Sequence, residues 1–104
     1  MDTDDQVREA AKQTLELLWR KYWDAKSAQP PPSFDDYFDL RRAYEDAAVA
    51  YAGLEGRLLR SDLLADDIDV QDFQCVRDQM AQAVNTRQTV DVALKFGKLL
   101  MALV

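Results

Sequence analysis

The sequence predicts an all-α fold, in the form of a small antiparallel bundle of four helices that makes one domain over residues 1–104. Gly and Pro, which interrupt helices, number only three each, and the three prolines stand together at 30–32. No run of β-branched residues alternates with polar ones as an exposed strand requires. Apolar residues instead recur at spacings of three and four, the period of an amphipathic helix.

The first helix is predicted to begin near Thr3, because Thr3 and Gln6 have the spacing of a capping box. Asp4 and Asp5 complement the positive end of the helix dipole. The helix should end near Ala28, since the prolines that follow cannot continue it. Its apolar arc consists of Val7, Ala11, Leu15, Leu18, Trp19, Tyr22, Trp23 and Ala25.

The second helix is predicted to start after the prolines, with Ser33 as its N-cap and Asp35 and Asp36 in its first turn. Gly53 and Gly56 lie off its apolar face, and each weakens a helix by about 1 kcal/mol relative to Ala. They indicate a bend, or a place where another backbone comes near. The apolar face itself is Tyr37, Leu40, Tyr44, Ala47, Ala48, Tyr51, Leu54 and Leu58.

A connection over 61–69 leads to the third helix, for which Asp69 is the predicted N-cap, followed three residues later by Asp72. Beyond Asn85 the apolar pattern rotates, and charged residues take over the core position. A break between Asn85 and Thr89, with Asn85 and Gln88 as a second capping box, resolves this conflict. If the chain stays continuous, a bundle of three long helices is the alternative. The face of the third helix is Phe73, Val76, Met80, Ala83 and Val84.

The last helix is apolar around most of its circumference, because its charges form one narrow stripe of Asp91, Lys95 and Lys98. Such a helix is either central in its fold or shared with a second molecule. Four helices of this size seldom enclose one of their number, so the segment predicts self-association. The residues expected at that contact are Phe96, Leu99, Met101 and Leu103.

The charge and the residue types argue against several functions. A net charge of −6 opposes direct nucleic-acid binding and binding to anionic membranes, which need a basic surface. The sequence has no His, the commonest general base and metal ligand. Cys75 has no base beside it to activate a thiol nucleophile, and the carboxylates near Asp67 do not follow the spacing of a calcium loop. We therefore predict no enzyme, no cofactor and no metal.

The sequence also favours a cytoplasmic location. Its acidic N-terminus lacks the apolar segment of a signal peptide, and the longest apolar run, 99–104, is too short to cross a bilayer. A single Cys gives no sign of an oxidising compartment. Abundant Ala, Asp, Arg and Leu with few Lys are typical of a GC-rich bacterial genome.

An acidic run is the most distinctive local feature, with five Asp in eleven residues and no Lys or Arg between Arg60 and Arg77. Asp is a good helix cap, so capping alone accounts for much of this placement. The other interpretation is a surface that attracts a basic partner and speeds association. The residues of this candidate partner-binding surface are Asp62, Asp66, Asp67, Asp69 and Asp72.

Trp19 and Trp23 are candidate partner-binding anchors. Aromatic residues at helical spacing are usually part of a core. However, both Trp residues fall at one edge of the apolar arc, and Trp anchors many protein interfaces.

The leading functional hypothesis is a small acidic adaptor or inhibitor that binds a protein partner with a basic surface. Accessory proteins of mobile elements, such as anti-defence inhibitors, immunity proteins and antitoxins, share this size and charge, which is an analogy only. The first alternative is an obligate homodimeric structural or scaffold protein assembled through the C-terminal helix. The second alternative is a small-ligand-binding protein or an enzyme.

Overall fold

The computed structural model describes residues 2–103, and this range contains four α-helices and no strand. They are α1 (Thr3–Ser27), α2 (Phe34–Arg60), α3 (Asp67–Gln82) and α4 (Thr86–Leu103). The predicted all-α class with four helices is confirmed, and the last two helices are separated by a break at 83–85, just before the predicted position between Asn85 and Thr89. Within the described range no helix is both long enough and apolar enough to span a membrane.

Helices α1 and α3 run parallel to each other, which contacts at both ends show. At the start, the Thr3 hydroxyl donates to the Ala65 carbonyl oxygen at 2.7 Å. Near the end, the Lys21 ammonium donates to the Ala83 carbonyl oxygen at 2.8 Å. The two helices therefore lie side by side in the same direction, although the chain between them passes through α2.

Helices α2 and α4 form a second parallel pair. At their starts, Arg87 of α4 lies 2.8 Å from the carboxylates of Asp36 and Asp39. At their ends, Arg57 donates to the carbonyl oxygen of Leu103. The bundle thus consists of two antiparallel hairpins, α1–α2 and α3–α4, placed so that neighbours across the hairpins are parallel. The prediction of an antiparallel bundle therefore describes each hairpin, but not the packing of one hairpin on the other.

Two predicted caps are confirmed. The Ser33 hydroxyl accepts from the Asp36 amide at 3.1 Å at the start of α2. The Asn85 side chain accepts from the Gln88 amide at 2.8 Å at the start of α4. The Gln88 side chain does not complete a capping box, because it accepts from the Val84 amide instead.

Two other predicted caps are wrong. Asp2 caps α1 by accepting from the Asp5 amide at 2.8 Å, and this leaves the Thr3 hydroxyl free to donate to Ala65 in the connection before α3. Helix α3 begins at Asp67, with Asp66 as the N-cap, and Asp69 lies inside the helix. The two carboxylates cap each other's backbone amides, which satisfies two N–H groups, one more than a single cap would.

The core lies between the two hairpins and is built from large side chains separated by alanines. Phe73 and Phe96 meet edge to face, with ring centroids 6.5 Å apart. Val84, predicted on the face of α3, is exposed because the helix ends before it. The largest fully buried side chains are Phe73, Phe96, Leu18, Leu40, Leu54, Met80 and Leu100.

The connection between α2 and α3 is held by one carboxylate. Asp4 accepts from the backbone amides of Leu63 and Ala65, each at 2.9 Å. Leu64, between them, adopts a φ of 60°, a conformation that is unfavourable for a residue with a Cβ. Its side chain consequently points to solvent.

Candidate functional site

An aromatic surface lies on the α1–α2 hairpin, beside the turn that joins the two helices. The last turns of α1 and the first turns of α2 are adjacent because the helices are antiparallel. Tyr22 is at its centre, with its ring stacked on those of Tyr44 and Tyr37 at 5.4 and 5.9 Å between centroids. We define the aromatic surface as Trp19, Tyr22, Trp23, Tyr37 and Tyr44, which are joined by ring contacts.

The outer rings of the aromatic surface are open to solvent. The exposed fractions are 43% for Trp19 and 45% for Trp23. Outside this group, Phe34 and Phe38 at the start of α2 stack on each other and are 80% and 51% exposed. The predicted anchors Trp19 and Trp23 thus lie at the surface. The prediction missed Phe34 and Phe38, although their four-residue spacing on the side of α2 away from the apolar face was a usable signal.

Ring contacts hold the exposed Trp side chains of the aromatic surface in position. Trp19 packs on Tyr44 at 5.4 Å and meets Trp23 nearly edge-on at 5.3 Å. The Lys26 ammonium sits 4.3 Å from the ring centroid of Trp23, a cation–π distance. These contacts hold the Trp rings in place, so little side-chain entropy remains to be lost on binding.

The phenols of Tyr22 and Tyr44 in the aromatic surface stay neutral at physiological pH. The hydrogen bond with Tyr37 raises the pKa of Tyr22, and burial raises it further. Burial likewise raises the pKa of Tyr44. The centre of the aromatic surface is therefore uncharged, with Lys26 at its margin.

The acidic run lies at the opposite end of the bundle. The segment that follows α2 is tied to Asp4, and Trp19 comes fifteen residues later on the same helix. At 1.5 Å per residue this separates the two predicted partner-binding groups by about 22 Å. The structure therefore does not bring the acidic residues and the Trp anchors into one site.

Within the acidic run, capping occupies some of the carboxylates and not others. Asp66 and Asp69 cap the start of α3 reciprocally. Asp62, Asp67 and Asp72 are exposed at the surface. These three carboxylates are the ones placed to act on a charged partner at a distance.

The residues predicted for self-association divide between the core and the surface. Phe96 is 0% exposed because α4 turns it toward Phe73, so it is not available to a second molecule in this fold. Leu99 and Leu103 are half-buried and pack on the core. Met101 is 63% exposed. Of the four residues, only Met101 presents most of its side chain to solvent.

A groove of about 760 Å³ runs between α2 and α4 on the outside of the bundle. Helical periodicity does not show that α2 pairs with α4, so the sequence could not predict this groove. Small residues form its floor and larger apolar residues its sides. The lining residues are Ala43, Asp46, Ala47, Val49, Ala50, Gly53, Ala93, Leu94, Gly97, Lys98 and Met101.

Three titratable side chains, those of Arg8, Tyr51 and Glu55, link α1 to α2 through hydrogen bonds. The Glu55 carboxylate accepts from Arg8 at 2.9 Å and from the Tyr51 phenol. Burial, together with the bond to Glu55, raises the pKa of Tyr51 to about 12. Over residues 2–103, no three His, Cys, Asp or Glu side chains are grouped to hold a metal ion. Cys75 is exposed, and the Gln79 amide donates to its sulfur at 3.5 Å.

Comparison of the chain with protein-family models, with curated proteins and with solved structures gives no match.

Proposed function

We propose that this protein is an adaptor or inhibitor that binds a protein partner through the aromatic surface. The observation that supports this function is the exposure of Trp19 and Trp23 beside each other, packed on the stacked rings of Tyr22 and Tyr44. Trp and Tyr are enriched among the residues that dominate binding energy in protein interfaces. A contiguous exposed apolar patch of large rings marks an interaction site more often than a scattered apolar residue does.

The geometry of the aromatic surface suits binding better than it suits folding. The stacked rings of Tyr22, Tyr37 and Tyr44 support the Trp rings from below, so the outer rings are pre-positioned. Each outer ring still leaves large apolar area in water, worth roughly 25 cal/mol per Å² when a partner covers it. Rigid aromatic anchors of this kind bind with a small entropic penalty.

The charge of the chain specifies the chemistry of the partner. The net charge of −6 and the exposed carboxylates of Asp62 and Asp67 attract a protein with a basic surface. Because these carboxylates lie about 22 Å from Trp19, they act on the approach of the partner and not in the central contact. The aromatic surface supplies affinity and the acidic end supplies the rate of association.

Accessory proteins of mobile elements, which include anti-defence inhibitors, immunity proteins and antitoxins, provide an analogy of size and charge for this proposal. We propose a cytoplasmic inhibitor or adaptor of that general kind.

The first test identifies the partner and then locates its contact. The tagged full chain is used to capture proteins from a lysate of its native host, and the partner is then purified. The double variant Trp19→Ala/Trp23→Ala should raise the dissociation constant for this partner at least about tenfold, as loss of interface anchors does. The matched control is Ile68→Ala, which removes an exposed apolar residue at the other end of the bundle. Equal affinity of the double variant and the wild type would exclude the aromatic surface as the docking site.

A second measurement tests the role of the acidic end. The double variant Asp62→Asn/Asp67→Asn should slow association and flatten its dependence on salt, while the dissociation rate stays unchanged. Asp66 and Asp69 are left intact because their loss would uncap α3. Association kinetics identical to wild type at low salt would show that these carboxylates do not steer the partner.

A further inference from the structure

We propose that the groove between α2 and α4 is the interface between two copies of this chain. The groove has apolar walls that no described element of the chain covers. Val49, Leu94 and Met101 line it and are each more than half exposed. This surface is separate from the aromatic surface, which lies on the α1 side of α2. The inference is therefore independent of the proposed function.

Gly97 gives an independent reason to expect an occupant. It lies inside α4, where Gly destabilises a helix relative to Ala. A Cβ built on Gly97 would meet no atom within 4 Å, so the packing of this chain does not require glycine there. Close approach of another molecule over α4 would require it, because a side chain at this position would fill the floor of the groove.

The charges on the two lips of the groove identify a second copy as the occupant. Asp46 stands on the α2 lip and Lys98 on the α4 lip, and neither forms an ion pair within residues 2–103. A two-fold axis along the helices would place α2 of one copy on α4 of the other. Asp46 would then face Lys98 twice, once on each side of the axis.

The heights of these two charges along the bundle are compatible with this pairing. Helices α2 and α4 are parallel, and Asp39 lies level with Arg87. Asp46 is seven residues beyond Asp39, and Lys98 is eleven beyond Arg87. The difference of four residues corresponds to about 6 Å, which the Lys side chain spans. A foreign helix with charges of one sign would complement only one lip, whereas a second copy complements both.

The first experiment measures the mass of the full chain by sedimentation equilibrium, with glycine variants as probes. The wild type should have twice the mass of one chain. Gly97→Gln should raise the dissociation constant of the dimer at least about tenfold, since Gln is a good helix former that fills the groove without adding apolar surface. The matched control is Gly56→Gln on α2, where a Cβ would meet only the flexible Arg60 guanidinium at 3.7 Å. Circular dichroism checks that both variants stay helical.

The second experiment tests which charges meet across the interface. Asp46→Lys and Lys98→Asp each place like charges opposite each other in a homodimer, so each variant alone should be monomeric where the wild type is dimeric. An equimolar mixture of the two variants should recover a dimer, because every facing pair is again of opposite sign. A wild type of monomeric mass at all concentrations would overturn the proposal. A dimer that Gly97→Gln and the charge variants leave unchanged would also overturn it.

Discussion

Tyr51 links two helices through a shared carboxylate. Its phenol donates to Glu55 one turn along α2, and the same carboxylate accepts from Arg8 of α1. The hydrogen bonds from Arg8 and Tyr51 lower the pKa of Glu55. Burial and the bond to Glu55 raise the pKa of Tyr51 from 10.0 to about 12. Folding therefore favours the neutral phenol beside the ionised carboxylate.

Tyr51 makes the stability of the fold sensitive to alkaline pH. A phenol with a raised pKa holds its proton longer in the folded chain than in the unfolded chain. The stability that it contributes is thus complete below pH 10 and is lost as pH rises through about 12. As the pH rises from 10 to about 12, the free energy of unfolding should fall by about 1 kcal/mol less in Tyr51→Phe than in the wild type. Urea unfolding at a series of pH values measures this difference.

An ultraviolet titration provides the control for this prediction. Tyr51→Phe should remove from the titration curve the phenol that ionises near pH 12. Parallel loss of stability in the variant and the wild type above pH 10 would contradict the assignment of the shift to Tyr51.

At the residue scale, the sequence could predict what depends on local spacing. Ser33 and Asn85 act as caps because a short polar side chain meets the amide three residues ahead. Thr3 does not act as the predicted cap, because Asp2 accepts the capping hydrogen bond instead. The Thr3 hydroxyl donates to the carbonyl of Ala65, a residue distant in sequence. The burial of Phe96 likewise depends on the position of Phe73 across the core.

At the scale of elements, the α2–α3 connection depends on the N-terminal turn of α1. The Asp4 carboxylate binds the amides on both sides of Leu64 and so holds that residue at positive φ. Leu63 and Ala65 are buried, so their amides would have no replacement partner without Asp4. This arrangement ties the start of α1 to the start of α3 and fixes their parallel pairing.

Asp4→Ala should lower the free energy of unfolding by about 2 kcal/mol, because two amides lose their acceptor. Asp5→Ala is the matched control, since Asp5 lies in the same helical turn but is exposed. Asp5→Ala should lower the free energy of unfolding by only about 0.5 kcal/mol, because it removes only the interaction of Asp5 with the helix dipole. Urea titration followed by circular dichroism measures both values. Equal losses in the two variants would show that the carboxylate acts on the dipole and not on the connection.

The four helices could be predicted from the sequence, but the way they pair could not. Apolar periodicity and the rotation of the pattern after Asn85 identify each helix and the break. Periodicity gives the inward face of a helix but not its neighbours. The pairing of α2 with α4 follows from contacts between residues far apart in sequence, such as Arg87 with Asp39. The groove lies between α2 and α4, so it could not be predicted from the sequence without that pairing.

At the scale of the whole molecule, the proposed surfaces occupy different sides of the bundle. The aromatic surface faces out from the α1–α2 hairpin at the end where its turn lies. The exposed carboxylates of the acidic run lie at the opposite end, and the groove runs along the α2–α4 side. Helix α2 contributes to both the aromatic surface and the groove, through opposite sides of the helix. A partner on the aromatic surface and a second copy in the groove therefore do not compete for the same side chains.

A dimer formed through the groove would carry two aromatic surfaces and would bind a dense array of partner molecules bivalently. On a surface with closely spaced immobilised partner, the wild type should dissociate at least about tenfold more slowly than Gly97→Gln, because the second contact is intramolecular. With partner free in solution, both should have the same affinity per site. Trp19→Ala/Trp23→Ala should weaken binding in both formats while its mass stays that of the dimer.

Slow dissociation that persists in Gly97→Gln would mean that a single aromatic surface accounts for all of the binding. Equal, fast dissociation of wild type and Gly97→Gln from the dense array would show that the two surfaces of a dimer cannot engage together.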